Sequence, residues 1–247
     1  MPVVRMVVAY EGTRYAGWQR QKNAMTVQAA LEDALRTITG RHVAVAGAGR
    51  TDTGVHAWGQ VAHADVPGRL DPATLQRALN ACLPDDILVR DITRIRGRFH
   101  ARFDARRKRY RYRIVTGPLR PLFDRSLVQY VPGSLQVTAM RRAARHWVGP
   151  HDFGRFHSTG RAVAITRRTV TALTIRRHGL EITIEVTADG FLYHMVRRMV
   201  GVLLKVGKGR WAPEIAARFI RPGQPAPDAP TAPARGLMLM EVAYGSR

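Results

Sequence analysis

Residues Gly49-Arg50-Thr51-Asp52-Thr53-Gly54-Val55-His56 set one carboxylate between two glycines, close to an arginine. Strand-like stretches before and after it place this carboxylate and its flanking glycines at a turn. An aspartate in so arginine-rich a chain stays ionised at neutral pH, which suits a nucleophile or a base better than a proton donor. The plainer reading is a turn aspartate that bonds its own backbone. Residue types and spacing leave both open.

Other patterns that suggest chemistry fall away. In Gly47-Ala48-Gly49-Arg50-Thr51-Asp52, Asp52 stands where a dinucleotide-binding turn needs a small residue, and no helix follows. The stretch from Gly201 to Gly209 has the wrong spacing before Lys208, and Gly209 replaces the Ser or Thr of a phosphate loop. No nucleotide cofactor is expected. His146, His151 and His157 have only Asp152 nearby and match no metal-ligand spacing, so they read as solvated or core histidines and no metal is expected. The single cysteine, Cys82, excludes an internal disulfide and a cysteine-rich zinc site. Its helical spacing from Leu75 and Leu79 predicts a place in the core.

The elements around the Asp52 turn follow from patterning. Val3 to Tyr10 reads as a strand and opens onto a loop holding Tyr15, Gly17, Trp18 and Gln19. Thr26 is placed to cap a helix whose apolar face is Leu31, Ala34, Leu35 and Ile38 and which ends at Gly40. Strands over 43–48 and 60–66 flank the turn, Asp71-Pro72 starts a second helix, and Ile87 to Ile95 is the next strand. The order is β-α-β-β-α-β. The second half repeats it: strand Arg109 to Val115 (extended by Leu127 to Val131), helix Val137 to Trp147, strands Val170 to Arg176 and Glu181 to Thr187. A helix running from after Gly190 to Val206, a short helix over 213–220 and a strand from Leu237 to Tyr244 complete it. Pro222 to Pro233 reads as an irregular Pro/Ala-rich connection. The expected class is α+β, with two ferredoxin-like halves, 1–104 and 105–247, forming a mixed, largely antiparallel sheet with helices on one face.

Charge narrows the function. A formal net charge of +22 opposes compaction unless an anionic partner relieves it, and nucleic acid is the leading candidate. Of 40 basic residues only Lys22, Lys108, Lys205 and Lys208 are lysines, and guanidinium groups fork onto phosphate and stack on bases. Genome composition also favours Arg over Lys, but it does not explain the shortage of acids. No apolar run reaches the roughly 20 residues of a membrane span, and no signal-peptide pattern opens the chain, so a cytoplasmic location is expected.

The octapeptide at 49–56 resembles the catalytic signature of the TruA family of tRNA pseudouridine synthases. The resemblance extends to Tyr15-Ala16-Gly17-Trp18-Gln19-Arg20-Gln21, Thr26-Val27-Gln28, 80–83, Phe99-His100-Ala101-Arg102-Phe103 and Lys108-Arg109-Tyr110-Arg111-Tyr112. It continues through 191–201 and Thr231-Ala232-Pro233, in the family's order and over nearly the whole chain. Thr53, Arg198 and Arg235 depart from its usual pattern.

The resemblance implies the pseudouridine synthase fold, a homodimer with a basic tRNA-binding cleft, and isomerisation of uridines 38, 39 and 40 of the anticodon arm. It implies Asp52 as the nucleophile and Tyr110 as the residue that stacks on the target base and shares in proton transfer. Arg50 would fill the space left by the flipped base, and Arg197 would pair with Asp52. Phe191 and Leu237 would line the substrate site. Tyr110 is otherwise an ordinary strand aromatic, Arg197 a phosphate clamp or exposed arginine, and Leu237 a core strand residue. Isomerisation conserves atoms and oxidation state, so no metal or redox cofactor is required. A pseudouridine synthase on another RNA and a noncatalytic RNA-binding module are the competing readings.

Overall fold

The computed structural model describes residues 3–68, 70–158, 165–221 and 223–245. The chain divides into two compact units, one of residues 1–106 with 238–247 and one of residues 107–237.

In the first unit, strand β1 (Val3–Tyr10) leads to helix α1 (Val27–Thr39), the two-residue strand β2 (Ala46–Gly47), strand β3 (His56–Asp65), helix α2 (Pro72–Cys82) and strand β4 (Ile87–Ile95). This is the β-α-β-β-α-β order. β1 runs antiparallel to both β3 and β4, and β2 lies along β3. Val4, Met6 and Val8 of β1 are fully buried, while the alternating Val3, Arg5 and Val7 are partly exposed, so the strand has one core face and one open face.

Both helices start and stop for local reasons. The Thr26 hydroxyl accepts the Ala29 N–H at 3.3 Å, and Gly40 ends α1 in the left-handed region at φ 69°. Asp71 accepts the Thr74 N–H at 3.0 Å, and Pro72 occupies the first turn of α2. Cys82 departs from expectation. It is exposed, because α2 ends there and the next core position is taken by the buried Leu83.

The final strand, β10 (Leu237–Tyr244), was expected in the second half. From Met238 onward it groups with the first unit, where it runs parallel to β3 with Met238 opposite His56 and Leu239 opposite Ala57. The boundary also moves from 104 to 106. A hydrophobic strand reads the same whichever sheet receives it, and here the closest approach is backbone to backbone: a Cβ on Gly59 would lie 2.5 Å from the Met240 carbonyl oxygen.

The second unit contains β5 (Ala105–Gly117, from Arg107), β6 (Gln129–Pro132), α3 (Val137–Arg145), β7 (Gly149–Asp152), β8 (Arg167–His178), β9 (Glu181–Ala188), α4 (Met195–Gly207) and α5 (Ile215–Arg218). Its sheet order is β5-β9-β8-β7, antiparallel throughout, with β6 parallel to β5. Leu127 to Val131 is therefore not an extension of β5: β6 begins at Gln129 and pairs beside that strand. β7 had no strand-like pattern, and it pairs at the sheet edge with 167–170. Helix α3 ends at Arg145, and Trp147 beyond it is fully buried, its indole N–H donating to the Ala216 carbonyl at 2.8 Å. Residues 223–233 form no helix or strand, as expected; Pro222 lies outside the described residues. No helix among the described residues is long and apolar enough to cross a membrane.

Candidate active site

The turn carrying Asp52 is fixed from beneath by the loop after β1. Trp18 donates its backbone N–H to the Thr51 carbonyl at 3.1 Å, and Gly54 donates to the Tyr15 carbonyl at 3.3 Å. The Gly12 N–H donates to His56 Nδ1 at 3.0 Å, and Val55 N–H closes the turn onto the Asp52 carbonyl at 3.1 Å. These segments approach so closely that side chains are excluded. A Cβ on Gly12 would sit 2.0 Å from the Val55 oxygen, and one on Gly17, already at φ 89°, would sit 2.5 Å from the Thr51 oxygen. The loop in turn rests on α1, whose first backbone donors, from Val27 and Gln28, reach the carbonyls of Gly17 and Trp18 at 3.3 and 3.0 Å.

Side chains lock the same turn from the core. Buried Thr51 shares a 2.8 Å hydrogen bond with the hydroxyl of buried Tyr10, and burial pushes that hydroxyl well above the usual phenol range, keeping it protonated. The Gln60 amide donates to the Gly49 carbonyl at 2.9 Å. Asp52 itself is half-buried, whereas Arg50 is exposed and donates through Nε to Gln19 Oε1 at 3.1 Å. A half-buried carboxylate on a backbone held at this many points has its main chain fixed in advance.

The other proposed residues lie in the second unit. Tyr110, 9% exposed, sits on β5 opposite Val186, and its ring meets half-buried Phe191 edge to face at 5.1 Å. Leu237, at the start of β10, is buried. The structure thus brings Tyr110 and Phe191 together, and it places Asp52 and Arg50 in one unit and Tyr110, Phe191, Arg197 and Leu237 in the other.

Arg197 belongs to the first turn of α4, which starts at Met195, four residues later than the pattern after Gly190 suggested. His194 causes the delay: its φ of 61° is left-handed and cannot continue a helix backward. Arg197 and Arg198 therefore bring two cations to the positive end of a helix, an unfavourable place for them, and no acid sits in that turn. Carbonyl groups compensate. Arg197 Nε donates to the Ala232 oxygen at 2.8 Å, and Ala232 N–H returns to the Arg197 oxygen at 3.0 Å. Arg198 donates to the carbonyls of Ala229 and His157 at 2.9 and 2.6 Å. The result is a concentrated positive locus suited to an anion, whether carboxylate or phosphate. Below it, the Tyr112 hydroxyl donates to the Pro233 carbonyl at 2.8 Å. Burial raises this hydroxyl's pKa, and the charges of Arg197 and Arg235 partly offset that.

Tyr10, Thr51, Gln60 and His194 position these groups and were not singled out by patterning. Each acts through a partner distant in sequence, or through a backbone angle, and neither leaves a local signal.

Comparison with known proteins settles the family. A family model described as tRNA pseudouridine synthase matches residues 6–104 and 143–245. The chain belongs to the tRNA pseudouridine synthase family. Relatives share its full length: tRNA pseudouridine synthase A of Acetivibrio thermocellus is 40% identical over 241 residues, covering 98% of this chain and 99% of that protein. The protein of the same name from Oleidesulfovibrio alaskensis is 43% identical, with coverage of 99% and 97%. That of Chlamydia trachomatis is 41% identical, covering 96% and 90%. The expected fold class holds for this family member, an α+β chain with mostly antiparallel sheet. Among solved structures, an archaeal box H/ACA Nop10-Cbf5 complex matches at 13% identity and a TM-score of 0.35 over 81% of this chain and 44% of that one, too low to add to the assignment.

Proposed function

We propose that this member of the tRNA pseudouridine synthase family isomerises uridine to pseudouridine at positions 38, 39 and 40 of the tRNA anticodon arm, with Asp52 as nucleophile. The observation that carries the reading is the Asp52 turn, a carboxylate held by backbone bonds and glycine-only contacts within the family's signature. The target uridine is extruded from its stack at a cost of about a few kcal/mol, and Arg50, exposed at the lip of the turn, takes the vacated space.

The Asp52 carboxylate attacks either the base or the ribose carbon. In both routes the C1′–N1 bond breaks, the uracil turns within its pocket, C1′–C5 forms, and the bond between Asp52 and the substrate breaks to return the free carboxylate. The proton then leaves C5 and N1 gains one, so atoms and oxidation state balance. Tyr110, its ring backed by Phe191, stacks on the base and relays the proton, and Leu237 closes the apolar wall. Arg197 pairs with the carboxylate and aims it. The active form is a cytoplasmic homodimer whose basic cleft reads the shape and backbone of tRNA.

The test maps pseudouridine by carbodiimide chemistry in unmodified tRNA transcripts incubated with wild-type protein or Asp52→Asn, alongside RNA binding by both. Pseudouridine at 38–40 with wild type, and binding without product for Asp52→Asn, is the expected result. Product only on ribosomal or messenger RNA fragments would move the substrate, and binding without product for wild type would leave a noncatalytic RNA-binding module.

A further inference from the structure

The first unit holds a second feature that the chemistry above does not use. The segment from Arg96 to Arg106 crosses the open face of the sheet beside His63, which is the cross-strand partner of Arg5 and shares its side. Within it, residues 100–104 form a turn tied at every corner. His100 Nδ1 accepts the N–H groups of Arg102 and Phe103 at 3.1 and 3.3 Å. The Asp104 carboxylate accepts the His100 N–H at 2.8 Å, and Asp104 N–H returns to the His100 carbonyl at 3.1 Å. Buried Ala101 anchors the turn to the floor: its N–H donates to His63 Nδ1 at 3.2 Å, and its carbonyl accepts from the Tyr244 hydroxyl at 2.7 Å.

This framework holds a phenyl ring out into solvent. Phe103 is 75% exposed. A single exposed apolar residue needs no explanation; a rigidly mounted one is different. The rings of His63, His100 and Phe103 form a short run outward from the sheet, 4.6 Å and then 4.2 Å between centroids, and the last is 33° from parallel. The Arg102 guanidinium stands 5.7 Å from the Phe103 centroid, within cation–π range. Between 96 and 106 there are four arginines and one acid, and that acid, Asp104, is occupied by the turn's own N–H. An open aromatic face on a hydrogen-bonded turn, with the Arg102 guanidinium beside it and three more arginines in the same segment, is complementary to an unpaired base with phosphates on either side. The same charges do not suit an apolar partner surface.

We infer that Phe103 is a base-stacking ledge for single-stranded or looped RNA, with Arg102 and its neighbours gripping the flanking phosphates. The inference rests on RNA being this enzyme's substrate, and it adds a contact from a segment other than the Asp52 turn. Because the ring is mounted in advance, stacking needs little ordering of the protein, so the ledge contributes directly to affinity.

The test measures equilibrium binding of an unmodified tRNA transcript to the full-length protein. Phe103→Ala should weaken binding by about tenfold, the scale of one lost base–aromatic stack. Phe103→Tyr and Phe103→Trp should bind like wild type, and Phe103→Leu, which keeps the apolar bulk but has no π face, should bind as weakly as Phe103→Ala. Thermal melts show whether each variant folds, and the exposed ring should leave them unchanged. Wild-type affinity in Phe103→Ala or in Phe103→Leu overturns the ledge, as does a loss of self-association in Phe103→Ala without loss of RNA affinity, which would assign the ring to a second copy of the chain. Because the readout is binding, wild-type protein that binds tRNA and forms no pseudouridine would defeat the isomerase reading and leave the ledge standing; unchanged binding with normal product would do the reverse.

Discussion

The turn at 49–55 and the entry to α4 at 194–198 both present proposed functional side chains, and they are built in opposite ways. The first is held by what is missing: Gly12 and Gly17 leave room for backbones to touch, Gly54 takes a left-handed angle, and buried Tyr10, Thr51 and Gln60 supply the hydrogen bonds below. The second is held by what is present, since the long side chains of Arg197 and Arg198 reach across to carbonyls at 157, 229 and 232. A carboxylate turn built on backbone contact tolerates almost no added atom. A helix entry strapped by guanidinium groups depends on the donor geometry of specific side chains and not on free space. The two should fail differently.

The largest effect is chemical. Asp52→Asn keeps the turn and removes the nucleophile, so pseudouridine formation should fall by roughly a thousandfold or more while tRNA affinity holds. Equal losses of binding and product would place Asp52 in the framework instead. Next comes crowding. Gly17→Ala adds a Cβ 2.5 Å from the Thr51 oxygen at a left-handed backbone angle, which costs about 1–3 kcal/mol of strain and, by shifting Asp52, about a hundredfold in turnover. A melting temperature and turnover both within error of wild type would show that the turn is not held by contact.

The strapped end yields to a change of shape at constant charge. Arg197→Lys keeps the cation but loses the Nε donor to Ala232, and turnover should drop about ten- to a hundredfold with the melting temperature little changed. Full activity in the lysine variant would mean that charge alone suffices there. Tyr10→Phe leaves Thr51 without its partner and should cost about 1 kcal/mol, seen as a fall of a few degrees in melting temperature.

The smallest effect is a pH dependence. His63 is held below the usual histidine range, first by burial and then by the neighbouring His100, and its Nδ1 must stay unprotonated to accept the Ala101 N–H. The unfolded chain therefore takes up the proton first as pH falls, so this group's contribution is full above the ordinary histidine pKa of about 6.5 and is lost as pH drops below it. Thermal melts should show the deficit of His63→Gln relative to wild type shrinking over that range. A gap that stays constant with pH would remove His63 from the account.

Much of the fold was legible because short-range rules set it. Thr26 and Gly40, Asp71 and Pro72 mark helix ends through hydrogen bonds and backbone angles only a few residues apart, and the β1 and β4 limits follow from alternation and breakers. Cys82 was misread because helical periodicity predicts a face but not the residue at which the helix stops. β7 was missed because Gly149-Pro150-His151-Asp152 has no strand propensity and takes its conformation from pairing with β8. At the site, residue types and spacing singled out Asp52 beside Arg50 without deciding a role, and the proposed roles of Asp52, Arg50, Tyr110 and Arg197 all came through resemblance, since a turn aspartate, an aromatic on a strand and an arginine near a helix are common.

The sequence by itself determined most of the secondary elements, the arginine-dominated charge that calls for an anionic partner, and the family through its signature segments. These depend on residue type and near neighbours along the chain. Only the tertiary structure decided that β10 runs parallel to β3, that Gly12 and Gly17 face carbonyl oxygens, that His194 turns left-handed ahead of α4, and that Phe103 stands open on a rigid turn. Each of these is a meeting of groups far apart in the chain or a backbone angle imposed by such a meeting, and non-local contacts of that kind leave no periodic or compositional trace.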